Sequence, residues 1–165
     1  MFEALRRRFG WTSGDGRGQA NQGVDAIPGL TRRAVSTMSS QCYAELNQGR
    51  NPLALFLDAR WELWGGTPPL SADCPPVGPL LAHEDHVKME WDKTQTGLEF
   101  CDGLSLDVME GGEATTLRII SSAHEGFVVD SLVGPGGLWL SNKNLRAGSN
   151  LVIGFFRLSL TGAIR

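Results

Sequence analysis

The feature that most constrains the fold is the end of the chain, where residues 150–164 read N-L-V-I-G-F-F-R-L-S-L-T-G-A-I. In an extended strand, successive side chains point to opposite faces. Leu151, Ile153 and Phe155 then share one face, and Val152, Phe156, Leu158 and Leu160 share the other. A run apolar on both sides, until Arg157 and Ser159 interrupt it, predicts a central strand covered on both faces. The rest of the fold is expected to pack around it.

Other segments carry strand signals too. Leu57, Ala59, Trp61 and Leu63 alternate with Asp58, Arg60 and Glu62, which predicts a half-buried strand stopped by Gly65-Gly66. Val87, Met89 and Trp91 alternate with charged residues. Leu98 and Phe100 mark a short strand, and Leu104, Leu106 and Val108 another. Glu110-Gly111-Gly112-Glu113 reads as a hairpin-like turn into a strand at 115–120, followed by strands at 127–132 and 138–140. About seven or eight strands separated by turn signals predict a mainly β domain. The expected form is an antiparallel sandwich or barrel of jelly-roll type. The 21 glycines and 8 prolines agree with many tight turns.

Two segments differ in kind. Thr31 is a candidate cap for a helix through about Asn47, with Val35, Met38, Cys42 and Leu46 on its inner face and Gly49 as its stop. Residues 65–79 hold five prolines and three glycines, which excludes regular structure. A loop this long is expected to be functional or to extend over a partner.

Two regions divide the chain: an amphipathic start and Gly-rich arm at 1–29, and one globular β-rich domain at 30–165. Phe2, Leu5 and Phe9 lie one or two helical turns apart, with Arg6, Arg7 and Arg8 between them. The segment 10–23 that follows is polar, with only Trp11 to bury, and reads as flexible.

Charge is segregated. Residues 1–60 hold eight Arg against five acids, 61–130 hold three Lys or Arg against thirteen acids, and 131–165 hold four Lys or Arg and no acid. Basic ends are able to meet nucleic acid, or the acidic middle of a neighbouring copy. The interaction candidates are therefore Phe2, Arg6, Arg7, Arg8, Trp11, Arg32, Arg33 and Arg157. The net charge of −3 counts against an RNA-packaging coat.

Three cysteines without C-x-x-C spacing argue against a disulfide framework and for a reducing, cytoplasmic setting. The start lacks the features of a signal peptide, and no apolar run approaches the roughly 18 residues of a membrane span.

Motifs for catalysis are weak. His83-Glu84-Asp85-His86, with Cys74 and Glu90 near in sequence, is the densest set of metal-ligating types. A strand would splay the two histidines, and the spacing matches no standard zinc pattern, so a solvated acidic turn without metal or cofactor is expected. There is no G-x-S-x-G, and Gly134-Pro135-Gly136-Gly137 lacks the lysine of a phosphate loop. Asp107 and Glu110 flank a turn and are expected to be solvated. Asp130-Ser131-Leu132-Val133-Gly134 resembles the D-x-S-x-x-G element of cyclic-di-GMP-binding PilZ domains. It is one residue shorter, and the arginines lack that family's R-x-x-x-R spacing.

Of five tryptophans, Trp61 and Trp91 fall on apolar strand faces and are expected in the core. Trp64 and Trp139 are the better interface candidates. The reading that follows is a non-enzymatic β-sandwich that works by assembly, with copies of itself or within a larger assembly. A basic arm on a compact β domain is also how small viral jelly-roll proteins are often built. One rival is a small ligand-binding or regulatory β-barrel with a pocket lined by Trp61, Trp91 and Phe156. The other is a hydrolase or metal enzyme using His83 and His86.

Overall fold

Strand pairing, not apolar content, decides which strand is central. The computed structural model describes residues 36–91, 97–100 and 103–159, with Trp91, 97–98 and 157–159 described as backbone only. In chain order the elements are β1 (Ser36–Met38), α1 (Ser40–Asn47), α2 (Pro52–Phe56), β2 (Asp58–Gly65), β3 (Leu80–Lys88), β4 (Glu90–Trp91) and β5 (Gly97–Phe100). They continue with β6 (Leu104–Asp107), β7 (Gly112–Ser121), β8 (Val128–Leu132), β9 (Asn144–Leu145), β10 (Asn150–Ile153) and β11 (Phe156–Ser159).

The protein is mainly β, and its strand pairs are antiparallel. The main sheet runs β1-β8-β7-β2-β3, with β9 on the end of β7; β10-β6 and β11-β5-β4 are separate small sheets. No sheet closes on itself among the described residues.

One face of the main sheet carries Ala59, Trp61 and Leu63 of β2, Leu117 and Ile119 of β7, and Val129 of β8, all buried. Cys42 and Leu46 of α1, Leu55 and Phe56 of α2, and Phe100, Leu106, Ile153 and Phe156 from the small sheets complete the core. The Trp61 ring lies 5.2 Å from Phe100 and 5.4 Å edge-on from Phe156.

The end of the chain is not a central strand. Gly154 and Phe155 break the run, β10 pairs with β6, and β11 pairs with β5. Ile153 and Phe156 are buried, but Val152 and Phe155 are 65% and 57% exposed. The centre belongs to β7, flanked by β2 and β8.

Other expectations are corrected locally. The helix starts at Ser40, not after Thr31, because Ser36, Thr37 and Met38 pair with β8 as a strand. Ser39 caps it by accepting from the Cys42 N–H. Residues 52–56 are helical, because Asn51 accepts from the Leu53 N–H and Pro52 opens the first turn. Glu110–Glu113 is no hairpin, since β6 pairs with β10 and β7 with β2, β8 and β9. Leu138–Leu140 is no strand: Leu138 makes only an isolated bridge with Val133. Residues 83–86 lie inside β3 rather than in a turn, where a bulge places His86 at φ 61°.

Candidate interaction surface

Strand register writes a polar row across the face of the main sheet opposite the core. His83 of β3 stands opposite Glu62, Glu62 opposite Arg118, and Arg118 opposite Asp130. Arg118 and Asp130 form a two-pronged ion pair, Nε to Oδ1 at 2.8 Å and Nη2 to Oδ2 at 2.9 Å. Their side chains are only 9% and 0% exposed. A buried carboxylate requires such a partner, and the planar guanidinium matches it in shape. Next to this pair, Glu62 accepts from Arg60 Nε at 2.8 Å and from Trp64 Nε1 at 2.9 Å. Trp64 is thus held half-buried on the outer face, beside an Arg60–Asp85 ion pair at the rim.

Residues 66–79 form a strap over part of this face. Its two ends touch at glycines: a Cβ on Gly66 would stand 2.6 Å from the Val77 carbonyl, and Gly66 has φ +78°. Thr67 and Val77 bridge just beyond that point. The strap then reaches the ion pair, where Arg118 Nη2 donates to the Cys74 carbonyl at 2.6 Å and the Ala72 carbonyl at 3.4 Å. Between them, Asp73 accepts from the Ser40 N–H at 2.8 Å and from the Ser40 hydroxyl at 2.6 Å. That carboxylate sits at the N-terminus of α1, where negative charge is favoured. The loop expected to be functional or to lie over a partner therefore lies over its own sheet.

The other sequence candidates separate. Trp139 stands 74% exposed on an otherwise fastened turn. The Gly134 N–H donates to the Leu138 carbonyl, the Leu138 N–H donates to the Leu132 carbonyl, and Leu138 is buried. The Val133 N–H donates to the Thr115 carbonyl, and the Thr115 hydroxyl to the Trp64 carbonyl. The Trp139 turn and the strap therefore leave the same end of the sheet, two strands or about 10 Å apart. The strap adds Val77 there, 73% exposed beside its bridge with Thr67, while Leu70 further along it is equally exposed. Arg157 stands opposite Glu99 in the β11–β5 register. Phe2, Arg6, Arg7, Arg8, Trp11, Arg32, Arg33 and Cys101 lie outside the described residues.

The histidines do not converge on one site. His86 is exposed and its Nδ1 lies 3.1 Å from Asp58, whereas His83 holds a buried Nδ1 without a partner. Among the described residues, no group of three or more His, Cys, Asp or Glu is placed to hold a metal ion. Cys42 and Cys74 are free thiols. Burial, with the nearby Glu45 charge, pushes the Cys42 thiol up to about 12, which keeps it from acting as a thiolate. Asp130 and Ser131, the polar residues of the D-S-L-V-G element, are buried in the sheet, with Asp130 on Arg118 and Ser131 on the Ser36 hydroxyl. No helix among the described residues is long and apolar enough to cross a membrane.

Sequence reasoning missed the Arg118–Asp130 pair. A signal existed, since the two residues stand equally far from His124, the centre of the turn between β7 and β8. An acid and a base placed symmetrically about a hairpin turn become cross-strand neighbours. Searches for similarity find no matching family model, curated protein or solved structure.

Proposed function

We propose that this chain is a non-enzymatic interaction protein that associates with copies of itself. In this reading the small sheets β10-β6 and β11-β5-β4 form the second layer of a β-sandwich over the main sheet. The contacts of Trp61 with Phe100 and Phe156 support that layering.

The observation that carries the reading is Trp139. A side chain this large is rarely left in water on a fastened turn unless another surface covers it, and tryptophan is prominent among the residues that dominate interface energies. Val77 of the strap, exposed at the same end of the sheet, extends the apolar rim. The acids and bases of the outer face are engaged with one another, as Arg118 with Asp130 and Glu62 with Arg60, which suits a scaffold better than a catalyst. The segregated charge favours docking of basic ends on acidic neighbours, with nucleic acid as a further partner for the basic arm at 1–29.

Sedimentation velocity across a wide concentration range tests the proposal. A species of discrete size, shifted towards the monomer by Trp139→Ser with the melting temperature unchanged, is the expected result. A wild-type protein that stays monomeric throughout would overturn it.

A further inference from the structure

We propose that the strap at 66–79 is exchangeable: the groove that holds residues 72–74 in the free subunit takes residues 72–74 of a second copy in the associated form. This rests on self-association and names what one copy gives the other.

Several features of the strap and its seat support exchange. Its latches are few, polar and confined to three successive residues: two carbonyls on Arg118 and one carboxylate on Ser40. It buries little apolar surface, since Pro69 and Ala72 are covered while Leu70, Asp73, Cys74, Pro75 and Val77 are exposed. Lifting it therefore forfeits little hydrophobic stabilisation, which scales with the apolar area removed from water.

The ion pair beneath is complete without the strap. Asp130 engages both Nε and Nη2 of Arg118, so an open strap leaves no lone buried charge. Its hinges are glycines, with Gly66 at φ +78° and Gly78 at φ +150°, conformations that other residues rarely adopt. The five prolines of 65–79 keep the lifted segment extended, and a stiff segment loses less freedom on docking elsewhere. An identical segment from a second copy would make the same hydrogen bonds, so exchange trades equal contacts, as in other swapped assemblies.

Mixed disulfide trapping tests this. Ser40→Cys is placed in one tagged copy and Asp73→Cys in another, both in a Cys74→Ser background, so that the two thiols replace groups now in hydrogen-bond contact. Mild oxidation of the mixture is expected to give a covalent heterodimer. Its yield should be several-fold above that of a control pair carrying Ser40→Cys and Ser122→Cys. Sedimentation of the same mixture separates the two ideas. Association without heterodimer above the control would overturn strap exchange and leave self-association standing. A mixture that neither associates nor cross-links would overturn both.

Discussion

β7 and the run at 150–159 exchange the roles that their sequences suggest. The run is the most continuously apolar stretch of the chain, yet it splits into two short strands of small sheets and leaves Val152 and Phe155 in water. β7 reads G-E-A-T-T-L-R-I-I-S, with an arginine near its middle, yet Thr116, Leu117, Arg118 and Ile119 are all buried. The difference lies in the partners. β7 has a strand on each side to satisfy its backbone and Asp130 to neutralise its charge, whereas β10 finds only the four residues of β6. Burial of a strand thus follows from what its neighbours supply, and a charged residue is tolerated at the centre when a counter-charge meets it.

The sharpest way to break that comparison is to remove the partner. Asp130→Ala leaves Arg118 buried without its counter-charge and is expected to cost about 3–5 kcal/mol. That is a large share of a typical stability of roughly 5–15 kcal/mol. The double variant Arg118→Met, Asp130→Leu is expected to recover much of the loss, because an apolar pair of similar volume needs no charge balance. Urea unfolding midpoints measure both. A small loss in Asp130→Ala would mean that β7 does not depend on the ion pair.

Phe156 and Phe155 probe the other side. Phe156 is 4% exposed against Trp61, and Phe156→Ala is expected to cost about 3–5 kcal/mol through lost burial and the cavity left behind. Phe155→Ala is expected to stay within about 0.5 kcal/mol, as for surface changes generally. Equal losses at the two positions would show that the run is covered on both faces after all.

Where local chemistry decides the outcome, the sequence was readable. Ala59, Trp61 and Leu63 alternate into the core of β2, and the prolines of 65–79 exclude regular structure, as the residue pattern says. Cys42 and Leu46 face inward at helical spacing, although the cap is Ser39 and not Thr31, because pairing with β8 claims Ser36–Met38. The centrality of β7 was not legible, since it depends on neighbours far apart in sequence. Gly154 was the cue that the last run breaks, but only pairing with β6 and β5 shows where the pieces go. Trp139 was legible as an interface candidate. Its exposure was not, because it depends on the turn that buries Leu138 and turns the next residue outward.

The edge of the main sheet offers a smaller test. The Ser39 hydroxyl accepts from the Cys42 and Val128 N–H groups and donates to the Gly126 carbonyl at 2.7 Å. It is 3% exposed, so Ser39→Ala leaves these groups without water and is expected to cost about 1–2 kcal/mol. Thermal unfolding measures it. A loss as large as that of Asp130→Ala would show that the β1–β8 edge is fastened as firmly as the centre.

The smallest effect is expected on the opposite edge, at the bulge of β3. The hydrogen bond from His86 to the Asp58 carboxylate, helped by the charge of that group, raises the histidine's affinity for a proton above its ordinary value near 6.5. A group whose pKa is raised by folding contributes stability that is fully present below its unfolded value. The contribution is lost as pH rises through the folded value. Stability should therefore decline slightly as pH climbs from just below 6.5 to the alkaline side of the raised value. Because His86 is exposed, salt should weaken the effect. His86→Asn removes the titration while keeping a residue that tolerates the left-handed backbone at φ 61°. Melting temperatures across that pH window should then lose their slope and otherwise match wild type at the alkaline end. A slope that persists would show that the His86–Asp58 contact is not its source.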